Sequence, residues 1–100
     1  IFVDNFLKFK NVNIKNLSYP KNKSKILYGG INIINSNVDI LNMKIDSSNS
    51  EDEINIISSE SVINNLELEN IQSDAIDIDF GTLVFKNISC KKIKNDCLDI

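Results

Sequence analysis

Apolar–polar–apolar triplets recur along this chain at an almost constant interval, and no other feature restricts its fold as much. Ile31-Asn32-Ile33, Ile54-Asn55-Ile56, Ile76-Asp77-Ile78 and Leu98-Asp99-Ile100 begin 23, 22 and 22 residues apart. A period of that size marks an array whose repeats bury their apolar edges only by stacking on one another. A second series keeps the same frame: Asn42, Asn65 and Asn87, each with an apolar residue two positions before it and others one and three positions after it. Asn11 fits that template too, but at a longer interval from Asn42. The surplus is the polar stretch around Tyr19 to Lys25, so residues 18–28 are expected to form a loop inserted between repeats. A third series, Asp52, Asp74 and Asp96, closes each repeat, with Gly29 in the corresponding place one repeat earlier.

Within each repeat the apolar positions alternate with polar ones, the period-two pattern of a strand with one buried face. Isoleucine and valine dominate the apolar places, and their branched side chains suit pleated strands. Asn, Asp, Ser and Gly, which tolerate turns, separate the runs. Stacked repeats would put equivalent residues about 4.8 Å apart, with isoleucine over isoleucine. The asparagines are then expected to donate and accept along the stack, in a buried or tight turn. The expected architecture is all-β: a right-handed parallel β-helix of about four coils of 22–23 residues, with three short strands per coil. Residues 1–100 would be one segment of a longer array, truncated at both ends. A leucine-rich repeat is the rival, because Leu66-Glu67-Leu68-Glu69-Asn70 resembles part of its consensus. That match occurs in one repeat only, with no accompanying helical frame.

Charge and length narrow the functional classes. The net charge is −3, with no histidine and no tryptophan. No apolar run approaches the roughly 18 residues of a membrane span, so membrane insertion is not expected. Residues 31–100 hold 13 Asp and Glu against 5 Lys, whereas the first 30 hold 6 Lys against one Asp. Nucleic acid is not an expected partner, since basic residues are not interleaved with aromatic ones. Lys21, Lys23 and Lys25 read as a solvated loop. Cys90 shares a column with Ile14, Ile45 and Leu68, and Cys97 one with Gly30 and Ala75; their spacing defines neither a disulfide framework nor a zinc site, and inert thiols are expected.

The repeats resemble the parallel β-helix of the pectin-lyase-like superfamily across nearly the whole chain. The segments Ser50 to Ile56, Ser73 to Phe80 and Asn95 to Ile100 look like the acidic coils of β-helix regions in bacterial surface or secreted proteins, some of them beside spore-coat-kinase-like domains. The resemblance implies an extracellular or cell-surface location, a polysaccharide partner, and further coils of the same chain stacked on this segment. Ser73-Asp74 and Asn95-Asp96-Cys97 are also spaced similarly to the catalytic carboxylates of polygalacturonases. Asp74 and Asp96 are therefore the candidate catalytic pair, and inverting hydrolysis would require them roughly 6.5–9.5 Å apart. Asn95 departs from that pattern, because an amide cannot protonate a leaving group.

Asn55, Asp77, Asp79 and Asp99 are the candidate binding residues on the polar lateral face. No metal site is assigned. Calcium is the one cofactor the acidic columns would suit, although no calcium loop of recognised spacing is present. The alternative to a ligand role is that Asp74 and Asp96 cap turns through backbone N–H groups while Asp77 and Asp99 face solvent. The reading taken forward is a non-catalytic or carbohydrate-contacting scaffold segment of an extracytoplasmic protein. A polysaccharide hydrolase or lyase and a structural adhesin stalk are the alternatives.

Overall fold

The computed structural model describes residues 2–17, 29–49 and 52–99, with backbone alone for residues 2–4 and 48. The expected inserted loop, 18–28, and its lysines lie outside the described residues. Seven strands form a single parallel sheet: β1 (Phe2–Leu17), β2 (Gly29–Ser48), β3 (Asp52–Ile57), β4 (Glu60–Ile71), β5 (Asp74–Asp79), β6 (Thr82–Ile93) and β7 (Leu98–Asp99). Their order is β6-β4-β2-β3-β5-β7, with β1 also paired to β2. No helix occurs among the described residues. The sheet curls round an axis into a half-barrel, as a fragment of a solenoid-like β-helix does.

The register follows the sequence period. Ile31 pairs with Ile54, Ile54 with Ile76 and Ile76 with Leu98, all in parallel. On the neighbouring walls Ile40 pairs with Ile63, and Met43 with Leu66. Between β1 and β2 the offset changes by one residue at Asp4/Phe6, and the stacking beyond it includes Val12 on Met43 and Ile14 on Ile45. Alternate residues point inward, so Ile31, Ile33, Ile40, Ile45, Ile54, Ile56, Ile63, Leu66, Leu68 and Ile76 make one continuous apolar interior. Each such side chain contributes roughly 1.5–3 kcal/mol by leaving water.

The corners that bend the sheet come from residues of positive φ, which recur in three columns. One is Asn5, Asn35, Ser58 and Phe80; the second is Asn11, Asn42, Asn65 and Asn87; the third is Asn16, Ser47, Asn70 and Lys92. Left-handed backbone suits asparagine better than other non-glycine residues, because its short polar side chain bonds locally. Strands β2, β4 and β6 therefore turn at these residues without losing their pairing.

Two inward columns depart from apolar packing. Ser36 and Ser59 stack in the interior: the Ser36 N–H donates to Ser59 Oγ at 3.0 Å, and Ser59 Oγ donates to the Ile57 carbonyl at 2.8 Å. Gly81 ends that column, and a Cβ there would lie 2.6 Å from the Ser59 carbonyl oxygen. Glu53, with 0 % exposure, stands in the small-residue column between Gly30 and Ala75. A Cβ on Gly30 would come within 2.8 Å of Glu53 Oε1, so the glycine makes room for the carboxylate.

Candidate functional site

The wall formed by β3, β5 and β7 together with Gly29–Ile34 of β2 gathers the carboxylates. Its described segments, 29–34, 52–57, 74–79 and 96–99, contain no lysine. Period-two alternation turns Ile54, Ile76 and Leu98 inward and Asn55, Asp77 and Asp99 outward, and register stacks Asn55 on Asp77 and Asp77 on Asp99. Asp52 stacks on Asp74 at the start of the same wall. One repeat earlier, Asn32 clamps the corner in both directions: the Gly29 N–H donates to Asn32 Oδ1 at 2.9 Å, and Asn32 Nδ2 donates to the Gly29 carbonyl at 2.8 Å.

Asp74 is 8 % exposed. Its Oδ1 accepts from Asn95 Nδ2 at 2.8 Å and from the Asp96 N–H at 3.0 Å. This is the turn-capping geometry that a carboxylate offers to backbone donors. Carboxylate oxygens of Asp74, Asp96 and Asp99 all lie within 4.8 Å of one another. One oxygen of each member of the candidate catalytic pair therefore lies closer to the other than the roughly 6.5–9.5 Å between the carboxyl groups of inverting hydrolases. The three residues supply at most six oxygens, and one of them is already engaged twice, so a calcium ion, which takes about 6–8, would need further ligands.

The candidate binding residues divide by exposure. Asp79 and Asp99 are exposed and Asp77 is half-buried, whereas Asn55 is only 4 % exposed and presents no amide to a ligand. Desolvation, followed by the charges of Asp79 and Asp99, pushes the Asp77 carboxyl above its ordinary range, and a hydrogen bond with the Asp52 side chain works the other way. Desolvation, then the charges of Asp74 and Asp96, raises Asp99 as well, and its hydrogen bond with Asp74 adds to the effect.

A different wall carries the asparagine row. Asn42 Nδ2 donates to Asn11 Oδ1 at 3.1 Å, Asn65 Nδ2 to Asn42 Oδ1 at 2.9 Å, and Asn87 Nδ2 to Asn65 Oδ1 at 3.0 Å. The row is exposed, not buried, because the left-handed corner points these side chains away from the interior. Beside it runs an open groove of about 590 Å³, lined by Asn42, Asn65, Asn87, Lys44 and Glu67 among others.

The cysteines differ from the expectation of inert thiols: Cys90 and Cys97 are joined in a disulfide, with Cα atoms 6.1 Å apart. Cys90 follows Leu68 in its column and Cys97 follows Ala75 in the other, and the chain between them turns at the left-handed residue Lys92. Their inward placement was legible in the columns, but their proximity depends on the corner between them. No family model, no curated protein and no solved structure matches the chain.

Proposed function

We propose that this chain is a non-catalytic scaffold segment of an extracytoplasmic, right-handed parallel β-helix of about four coils, of the pectin-lyase-like kind, whose lateral polar surface contacts polysaccharide. The observation that carries this reading is the exposed, hydrogen-bonded row of Asn11, Asn42, Asn65 and Asn87 beside the groove. Each internal amide spends one N–H and one lone pair on its neighbours, leaving a second N–H and a second lone pair for a ligand. Repeated at the strand spacing, these groups form a periodic row of donors and acceptors of the kind that hydroxyls of an extended polymer can engage. The engagement of Asp74 with Asn95 and the Asp96 N–H favours a structural role for that carboxylate over acid–base chemistry. A disulfide suits an oxidising compartment.

Affinity electrophoresis in gels containing neutral or acidic polysaccharides tests the proposal. The native chain is expected to be retarded by at least one polymer. Asn42→Gly with Asn65→Gly keeps the left-handed corners while removing the amides, and is expected to migrate freely. Absence of retardation across the whole set removes the carbohydrate reading.

A second reading, polysaccharide hydrolase or lyase, draws on the convergence of Asp74, Asp96 and Asp99 within 4.8 Å. Asp74→Asn and Asp96→Asn in the full-length protein would each abolish cleavage if it holds, and unchanged cleavage excludes these residues.

A further inference from the structure

We infer that Phe80 and the groove beside it form a second carbohydrate subsite, in which the phenyl ring stacks on the apolar face of a pyranose.

Phe80 breaks two local preferences at once. Its backbone is left-handed at φ 56°, a conformation that costs a bulky residue steric strain. Its ring is 92 % exposed, so burial does not offset that strain. The same corner column holds Asn5, Asn35 and Ser58 in the earlier coils, polar residues of the kind that suit a turn. Projection into water belongs to the corner itself, because Asn35 and Ser58 are exposed although each has a coil on both sides. What sets the fourth place in the column apart is the aromatic ring, and residues that override local preference mark functional or strained sites.

The ring stands on a firm support. Around it the Ser58 N–H donates to the Asp79 carbonyl and the Thr82 N–H donates to the Ser59 carbonyl, both at 2.9 Å. Gly81 packs so closely that a Cβ there would come within 2.6 Å of the Ser59 carbonyl oxygen. A ring held at its base loses little freedom on binding, which favours affinity.

The surroundings select the ligand. About 4.8 Å from Phe80, one strand spacing away, begins the column of Ser58, Asn35 and Asn5. With Asn37 and Glu60 these residues line an open groove of about 470 Å³. Their hydroxyl, amide and carboxylate groups donate to and accept from the hydroxyls of a sugar. The axial C–H bonds of a pyranose carry slight positive charge and the face of an aromatic ring is negative, so the two surfaces attract. A protein partner is the poorer match. The neighbours Asp79, Thr82 and Ser58 are polar, and one ring does not make the apolar centre of an interface of roughly 1,200 Å² or more. The subsite rests on the carbohydrate reading for its class of ligand, but it lies at a different corner from the asparagine row.

The chain contains no tryptophan, so Phe80→Trp places a single indole at the subsite. Titrating this variant with cellohexaose, mannohexaose and a galacturonate hexamer is expected to shift its emission saturably to shorter wavelength with at least one of them. Isothermal titration calorimetry with that sugar then compares variants. Phe80→Tyr should keep the native affinity within about twofold, whereas Phe80→Leu and Phe80→Asn should each weaken it about five- to tenfold. Circular dichroism checks the fold of each, and Phe80→Asn puts into the column a residue it already holds at Asn5 and Asn35. Unshifted emission with every sugar would overturn the subsite. Binding that Asn42→Gly with Asn65→Gly abolishes and Phe80→Asn leaves intact would overturn it too, while sparing the asparagine row. Native affinity in Phe80→Leu would overturn the stacking, since apolar bulk without a ring face would then suffice. Failure of the native chain to bind any of the three sugars would sink the subsite.

Discussion

Two buried serines two residues apart should respond to the same substitution with opposite signs. Ser59 and Ser61 both belong to the inward-facing side of the sheet, 4 % and 2 % exposed. The Ser59 hydroxyl accepts from the Ser36 N–H and donates to the Ile57 carbonyl, with the Ile33 carbonyl 3.3 Å away. The Ser61 hydroxyl has no hydrogen-bond partner, and its column neighbours in register are Val38 and Leu83. Ser59→Ala removes two hydrogen bonds worth about 1 kcal/mol each and takes the acceptor from a buried backbone donor, so a loss of about 2–3 kcal/mol is expected. Ser61→Ala removes a buried hydroxyl that already bears the cost of desolvation, and should be neutral or stabilising by up to about 1 kcal/mol. Ser61→Val adds apolar volume where the column already holds valine and leucine, and should gain about 1 kcal/mol more. Urea denaturation followed by circular dichroism measures all three. With a slope of about 1 kcal/mol/M, Ser59→Ala should lower the midpoint by about 2–3 M, and Ser61→Val should raise it by about 1–2 M at unchanged slope. A Ser61→Ala midpoint as low as that of Ser59→Ala would refute the reasoning, because hydrogen-bond satisfaction would then not separate the two sites.

Phe80 holds a left-handed backbone at φ 56° while 92 % exposed, in the column otherwise occupied by Asn5, Asn35 and Ser58. Phe80→Asn should therefore raise thermal stability by about 1 kcal/mol, or about 4–8 °C in the melting midpoint. Asn65→Ala should cost about 1–2 kcal/mol through backbone strain and the broken side-chain row, whereas Asn65→Gly should cost less because glycine accepts the corner; chemical denaturation of the pair separates the two contributions. The raised Asp77 and Asp99 carboxyls bind protons more readily folded than unfolded, so their unfavourable contribution is full above their folded values and is relieved as pH falls through those values toward the ordinary 3.8. Asp46 runs the opposite way: hydrogen bonds from Asn70 and then Ser47 hold its carboxyl below the usual range, and its stabilisation, present above 3.8, is lost as pH falls through the folded value. Urea midpoints measured from pH 7 down to about 4 should accordingly show Asp99→Asn with a smaller gain on acidification than the native chain, and an identical pH profile would contradict the assignment.

The period of the triplets alone determined which residues share a column. Parallel strands advance by the same distance per residue, so a constant interval in sequence becomes a constant register in space, and Ile54, Ile76 and Leu98 had to stack once the period was recognised. The inward isoleucines and the line of Asn42, Asn65 and Asn87 were legible for the same reason. What lies across from what was decided only in three dimensions, because relations between walls depend on the angle at each corner, and that angle comes from left-handed residues as unlike as Asn65, Phe80 and Lys92. Those corners expose the asparagine row and place Cys90 against Cys97, whereas the meeting of Asp74 with Asp96 follows from the period itself. Alternation likewise gave no sign that Asn55 would be covered while Asp99, in the same column, stayed in water. Asn55 has a strand on each side, whereas Asp99 lies on the last described strand with a neighbour on one side only, and alternation within a strand does not carry that information.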